Sequence, residues 1–171
     1  MWVSTVVELD LGGHAVLFGE ITNDCLVRIH ARCLYGDALG CENCSCGSRL
    51  RDSMDCIQAA RAGILIYLEH DDCDEPGSTG VERMLDSEIY ERLARFLSDE
   101  LSLNSVKLLT DRAADATALC AAGLTAIQVP IRRRVRAGRI RGLPTKLRTW
   151  LRVGSSNPRC DGVARDTAPP M

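Results

Sequence analysis

The chain has 171 residues and a formal net charge of −2, a length that suits one domain or one domain with a tail. It is 46% hydrophobic and only 4% aromatic, so an aliphatic core can form, whereas a base-stacking surface for nucleic acid is not expected. No apolar run approaches the ~20 residues that cross a bilayer. Residues 1–10 lack the basic and apolar regions of a secretory signal. We therefore expect a cytoplasmic protein without a membrane partner.

Charge is divided unevenly along the chain. Residues 1–131 carry 10 Lys or Arg against 21 Asp or Glu, whereas residues 132–171 carry 11 against 2. A basic segment of this kind can bind nucleic acid or pair with an acidic protein surface. Because no aromatic platform accompanies it, we do not expect nucleic acid binding. We expect the basic arm, Arg132 to Arg141, to pack on the acidic part of the same or a second subunit.

Hydrophobic periodicity predicts an α/β (α+β) fold with a mixed β-sheet core and flanking helices. In chain order, it predicts strands at 3–9, 15–20 and 26–31, followed by a cysteine-bearing loop. A helix at 48–61, closed by Ala62 and Gly63, then leads to a strand at 63–68 and an acidic loop at 69–80. The remaining elements are a helix at 81–101, a strand at 106–110, a helix at 113–122 and a strand at 125–131. One domain is predicted over residues 1–153. The Ser, Asn, Pro and Gly content of residues 154–171 predicts a disordered tail.

Four of the nine cysteines lie within fourteen residues, at Cys33, Cys41, Cys44 and Cys46. In a chain without a secretory signal, this spacing indicates metal binding rather than a disulfide framework. Cys33, Cys44 and Cys46 could hold one Zn²⁺ and leave a fourth position for water. Cys41 could instead complete a closed four-cysteine zinc site, and an iron–sulfur cluster is a third alternative. Most of the other cysteines are expected to be small buried side chains.

The segment from Val27 to Gly47 reads V-R-I-H-A-R-C-L-Y-G-D-A-L-G-C-E-N-C-S-C-G. It resembles the zinc motif of GTP cyclohydrolase II, R-V-H-S-E-C-L-T-G-D followed by R-C-D-C-G. Shorter matches follow at residues 63–67, 106–110 and 123–131. The resemblance implies the fold of that family, a homodimer and a catalytic zinc ion held by Cys33, Cys44 and Cys46. Cys41 is not an inherited ligand, since the family commonly has serine there.

That family opens the imidazole ring of GTP and releases formate and pyrophosphate, using a zinc-activated water molecule and magnesium. The resemblance implies that several residues here line the substrate pocket. They are Arg28, His30, Arg32, Arg49 and Thr110. Acids and a histidine are candidates for proton transfer. They are Asp86, Glu88, Asp71 and His70. Without the resemblance, Arg28 could equally be a surface strand residue. Asp37 is expected to brace the zinc loop through hydrogen bonds.

Several residues depart from the phosphate-binding pattern of the family. Cys73 and Glu88 stand where the family has arginines, and Asp115 stands where it has a lysine. The family segment that carries its catalytic tyrosine is missing after Gly80. The acidic loop at 69–80 repels a triphosphate, although it could be only a solvated surface.

We therefore expect hydrolysis of a purine, pyrimidine or related ring other than GTP, in a specialised biosynthetic pathway. The alternatives are a genuine GTP cyclohydrolase II and a non-catalytic, zinc-stabilised binding module.

Overall fold

The computed structural model describes residues 5–41, 44–69 and 85–131. Six strands form one sheet in the order β1-β2-β4-β3-β5-β6. The strands are β1 Thr5–Glu8, β2 Gly13–Phe18, β3 Cys25–Ala31, β4 Gly63–Leu68, β5 Ser105–Leu109 and β6 Thr125–Val129. The helices are α1 Cys46–Ala60, α2 Ser87–Arg95 and α3 Ala113–Ala121, with π-helical turns at Leu34–Ala38 and Phe96–Glu100. The predicted fold class is confirmed.

The sheet is mixed, and its parallel part fixes one functional edge. β2 runs antiparallel to both β1 and β4, whereas β3 runs parallel to β4 and β5, and β5 runs parallel to β6. The carboxyl ends of β3, β4, β5 and β6 therefore lie along the same edge of the sheet. The loops that follow these four strands bring their side chains to that edge.

Helices cover both faces of the sheet. On β4, Ile64 and Ile66 face one layer, where they pack with Leu93 of α2 and Leu119 of α3. Leu65, one residue out of phase, faces the other layer and packs with Ile57 of α1. This alternation follows from the two-residue period of a strand. The fully apolar sequence of β4 is therefore explained by burial on both of its faces.

The chain leaves β3 and β5 in opposite directions. From β3 the chain passes through α1, which covers one face of the sheet, to β4. From β5 it passes through α3, which covers the other face, to β6. Two neighbouring parallel strands whose connections diverge in this way open a crevice at their carboxyl ends, and ligands of α/β proteins bind in such crevices. The topology therefore locates a candidate binding site between β3 and β5.

The predicted helix ends needed correction. α1 begins at Cys46, two residues before the predicted start, and ends at Ala60, one residue before the predicted end. Arg61 follows it in a left-handed conformation with φ of 62°. Glycine was expected to end this helix, because a side chain costs energy in that conformation. The predicted loop after β3 also contains the π-helical turn Leu34–Ala38. The second helix was predicted to begin at residue 81, but Leu85 and Asp86 are not helical and α2 begins at Ser87. Residues 81–84 and 132–171 lie outside the described residues.

The cysteines outside the cluster differ in exposure. Cys25 is buried as predicted, Cys56 is half-buried, and Cys120 is exposed, contrary to the expectation for most of them. Cys73 and Cys160 lie outside the described residues. In the parts of the chain that the structure describes, no cysteine forms a disulfide, and no helix there is both long enough and apolar enough to cross a membrane.

Candidate active site

Three cysteines come together beyond the carboxyl end of β3. Cys33, Cys44 and Cys46 are all buried, and their sulfurs lie within 4.8 Å of one another. Cys33 Sγ and Cys44 Sγ are 3.4 Å apart. Since zinc binds thiolates at about 2.3 Å, two sulfurs of a tetrahedral site are ~3.8 Å apart. This three-cysteine cluster therefore has the donor type and the spacing to hold zinc. Cys41 packs against the cluster but is not part of this sulfur group.

Close backbone packing shapes the three-cysteine cluster. The π-helical turn Leu34–Ala38 begins directly after Cys33, and the Gly36 N–H donates to Cys33 Sγ at 3.2 Å. Gly36 also lies against Gly47 in the first turn of α1. A methyl group on either glycine would overlap the backbone of the other. Glycine at both positions therefore lets the turn and the helix approach closely enough to gather the cysteines.

A carboxylate beside the cluster accepts several hydrogen bonds. Asp37 Oδ2 accepts from the Cys33 N–H at 3.0 Å and the Tyr67 hydroxyl at 3.1 Å, and lies 2.9 Å from His30 Nε2. Burial opposes ionisation of Asp37, but His30 and the other two donors outweigh burial and hold the pKa of its carboxyl below the usual value. Burial and the charge of Asp37 raise the pKa of Tyr67 to about 12. Tyr67 therefore remains a donor at neutral pH.

A crevice lies where β3 and β5 separate at their carboxyl ends. The strands pair as far as Val27 and Leu108, and beyond this pair Arg28 donates from Nη1 to the Leu109 carbonyl at 3.0 Å. The crevice has a volume of about 20 Å³, which is room for about one water molecule. Its described lining mixes apolar and charged side chains. They are Arg28, Ile29, Ala31, Leu85, Tyr90, Leu108, Leu109, Thr110, Arg112 and Asp115. We refer to this feature as the switch-point crevice.

Asp115, in the first turn of α3, gathers three side-chain donors in the wall of the switch-point crevice. Its Oδ2 accepts from the Thr110 hydroxyl at 2.6 Å, and its Oδ1 accepts from the Tyr90 hydroxyl at 2.7 Å. Arg112 Nη2 lies 3.1 Å from the same Oδ1. The network joins the end of β5 to α2 and α3. Because Arg112 pairs with the carboxylate, the network brings one charge of each sign to the crevice wall.

Comparison with known proteins identifies the family. The sequence pattern of GTP cyclohydrolase II matches residues 10–130, which include the three-cysteine cluster and the described lining of the crevice. The chain belongs to the GTP cyclohydrolase II family. It is 33% identical over 125 residues to the GTP cyclohydrolase-2 of Neisseria gonorrhoeae, an alignment that covers 62% of this chain and 63% of that protein.

A second relative in the same family is the riboflavin biosynthesis protein RibBA of Mycobacteroides abscessus. It is 30% identical over 169 residues, covering 83% of this chain and 40% of that protein. The chain therefore spans less than two thirds of the length of either relative. Membership of the GTP cyclohydrolase II family confirms the resemblance on which the sequence prediction of the site rests.

Two of the five residues predicted to line the substrate pocket of this GTP cyclohydrolase II homologue lie in the crevice. Arg28 and Thr110 line the switch-point crevice, and each is only 1% exposed. The alternative that Arg28 is a surface strand residue is therefore wrong. His30 lies beside the three-cysteine cluster, and Arg32 is exposed at the end of β3. Arg49 lies in the first turns of α1 and is half-buried. Their binding roles remain predictions.

Neither of the two described residues that were predicted to transfer protons lines the crevice. Asp86 directly precedes α2 and Glu88 lies in its first turn, and both are exposed. The crevice lining includes their neighbours Leu85 and Tyr90, but neither acid. His70 and Asp71, with the other residues from 70 to 84, lie outside the described residues. The catalytic roles of all four remain predictions.

Two tyrosines of the site were missed in the sequence. Tyr67 interrupts an otherwise aliphatic buried strand, and a buried hydroxyl requires a hydrogen-bond partner. This single hydroxyl within an apolar strand could have identified Tyr67 as part of a polar site. Tyr90 is 3% exposed on the buried face of α2, but its pairing with Asp115 depends on how α2 packs against α3. Nothing in the local sequence predicts that pair.

Proposed function

We propose that this protein is a zinc-dependent hydrolase that opens a C–N bond in a heterocyclic ring such as a purine or pyrimidine, and that GTP is not its substrate. The position of the three-cysteine cluster supports this proposal. Cys33 lies two residues beyond Ala31, which lines the switch-point crevice together with Arg28 and Ile29. A zinc ion held by three thiolates supplies Lewis-acid activation of water when it is bound.

The chain's own residues would bind and orient the ring. Arg28 offers a buried guanidinium, whose planar set of donors suits a ring carbonyl or a carboxylate. Ile29 and Leu108 contribute apolar surface that would contact the ring face and exclude water. A purine is larger than the crevice volume of about 20 Å³, so binding requires the lining residues to move apart.

Acidic residues at two positions where the family has cations disfavour GTP as the substrate. Asp115 occupies the position at which the family resemblance implies a phosphate-binding lysine, and its carboxylate lies in the crevice wall. Glu88 replaces a family arginine and is exposed. Each lost charge-assisted contact costs ~1.5–3 kcal/mol, and Arg112, the cation nearest to Asp115, already pairs with that carboxylate. A triphosphate would therefore bind weakly here, whereas an unphosphorylated ring does not need these contacts.

Hydrolysis of GTP itself is the second candidate function. It is favoured by the match of residues 10–130 to the family and by the name GTP cyclohydrolase-2 of the gonococcal relative. Thr110, the counterpart of a GTP-contacting threonine in the resemblance, also lines the crevice. On this alternative, other residues of the chain would have to replace the missing cations.

The two candidates can be separated by one set of assays. Zinc-loaded protein is incubated with GTP or with unphosphorylated purines and pyrimidines, with and without Mg²⁺, while formate, pyrophosphate and ultraviolet absorbance are followed. We expect ring opening of an unphosphorylated substrate and no pyrophosphate from GTP. The Cys44→Ser variant serves as the control for activity that depends on the cluster. GTP turnover at about 1 s⁻¹ or faster would contradict the proposal, and inactivity on every ring would favour a binding module.

A further inference from the structure

We infer that Asp37 is a positioning residue for the three-cysteine cluster: its carboxylate ties the Cys33 backbone to the β-sheet and so fixes where the Cys33 sulfur lies. The inference rests on the proposed function, because it assumes that the cluster binds zinc. It adds a residue that neither donates a sulfur nor lines the switch-point crevice.

The Asp37 carboxylate is held by two paired strands. His30 on β3 and Tyr67 on β4 are direct partners in the parallel register, and their rings lie 5.5 Å apart. Both side chains reach the same oxygen, Asp37 Oδ2. The side chains of His30 and Asp37 are only 2% and 8% exposed, so neither moves freely. The carboxylate is therefore anchored to the sheet, although Asp37 itself belongs to a turn.

The anchored carboxylate in turn fixes Cys33. Its Oδ2 accepts the Cys33 N–H at 3.0 Å, while the Asp37 N–H donates to the Cys33 carbonyl at 2.8 Å. Between these two residues, the Gly36 N–H points at Cys33 Sγ. A displacement of the Asp37 carboxylate would therefore shift both the Cys33 backbone and the Gly36 N–H that donates to the Cys33 sulfur. Groups that orient metal ligands in this way typically affect metal affinity about 10–100-fold.

The Asp37→Asn variant tests this role directly. An asparagine keeps the size of the side chain and one acceptor oxygen but removes the negative charge, so it would hold the same three donors more weakly, because hydrogen bonds to a charged acceptor are about twice as strong. We expect the zinc Kd to rise about 10–100-fold. We also expect the visible absorption bands of the Co²⁺-loaded protein to shift, because they report the ligand geometry. Asp99→Asn is the matched control: it removes the same charge from an exposed position in the Phe96–Glu100 turn and should change neither quantity.

The outcomes separate this inference from the proposed metal centre. If the unaltered protein binds no zinc, both are overturned. If it binds zinc and Asp37→Asn has the same Kd and the same Co²⁺ spectrum, only the positioning role is overturned, even where the variant melts at a lower temperature. Should Asp37→Asn fail to fold, Tyr67→Phe removes one donor to Asp37 and keeps the ring. We expect a smaller rise in Kd and a Co²⁺ shift in the same direction, and no change in either would overturn the inference.

Discussion

Burial alone does not decide what a cysteine of this chain can do. Cys25 lies in the main core, where burial raises the pKa of its thiol to about 11, and such a thiol stays protonated and inert at neutral pH. Cys33 and Cys44 are just as buried, but each sulfur faces a backbone N–H, from Gly36 and Cys46 respectively. N–H donors of this kind suit a thiolate, which is the form that binds metal.

At the residue scale, we predict that Cys44→Ser loses the metal. A serine hydroxyl is a poor zinc ligand at neutral pH, and metal binding contributes directly to the folding of the loop that it organises. Zinc content after dialysis, measured by atomic absorption, should fall from ~1 per chain to nearly none. The thermal midpoint should fall with it.

Cys41→Ser is the matched control for this prediction. It makes the same chemical change in the same loop, at a sulfur outside the three-cysteine cluster, so its zinc content should stay at that of the unaltered protein. A metal-free Cys41→Ser variant would mean that the site is a closed four-cysteine centre.

At the scale of elements, we predict that zinc binding depends on the close contact between the turn Leu34–Ala38 and α1. A Cβ at Gly47 would overlap the Gly36 carbonyl oxygen, so Gly47→Ala must push the turn away from the helix. Overpacking of this kind costs ~1–3 kcal/mol, and here it also separates the cysteines. We expect a lower urea midpoint together with a loss of bound zinc.

Gly40→Ala provides the comparison within the same loop. Gly40 has φ of 66° and open space around it, so a methyl group there meets only the ~1–2 kcal/mol cost of the left-handed backbone. Its zinc content should be unchanged. Equal zinc content in Gly47→Ala and the unaltered protein would show that the close approach does not shape the cluster.

The elements also differ in how far the sequence could predict them. The strand at 63–68 was predicted with the observed bounds, because an apolar run between two turn signals has few alternatives. The end of α1 was predicted to within one residue, but the left-handed conformation of Arg61 was not, since a non-glycine residue does not favour it. The cysteine cluster could be predicted because its members are close in sequence. The contact of Tyr90 with Asp115 could not, because it joins two helices whose packing only the sheet topology determines.

At the scale of the whole molecule, residues 1–131 and 132–171 carry opposite net charges, and attraction between them could hold two subunits together. We predict a homodimer that weakens with salt, because attraction between exposed charges is screened at high ionic strength. Sedimentation velocity at ~0.05 M and ~0.5 M NaCl should show a dimer in the first and partial dissociation in the second. A monomer at every protein concentration, or tight salt-sensitive binding of DNA, would contradict this prediction.

The neighbouring positions of β3 and β5 have a consequence for the order in which the protein is made. Cys33, Cys44, Cys46, Asp37 and Tyr67 all precede the end of β4, whereas the switch-point crevice needs β5, whose pairing with β3 joins residues about 80 positions apart. A ribosome adds the ~40 residues from Leu68 to Leu109 in about 2–8 s. During translation, the three-cysteine cluster and the residues that support it are therefore added to the chain before the strand that completes the crevice. Every group proposed to hold the metal is synthesised while part of the proposed place for a substrate is still missing.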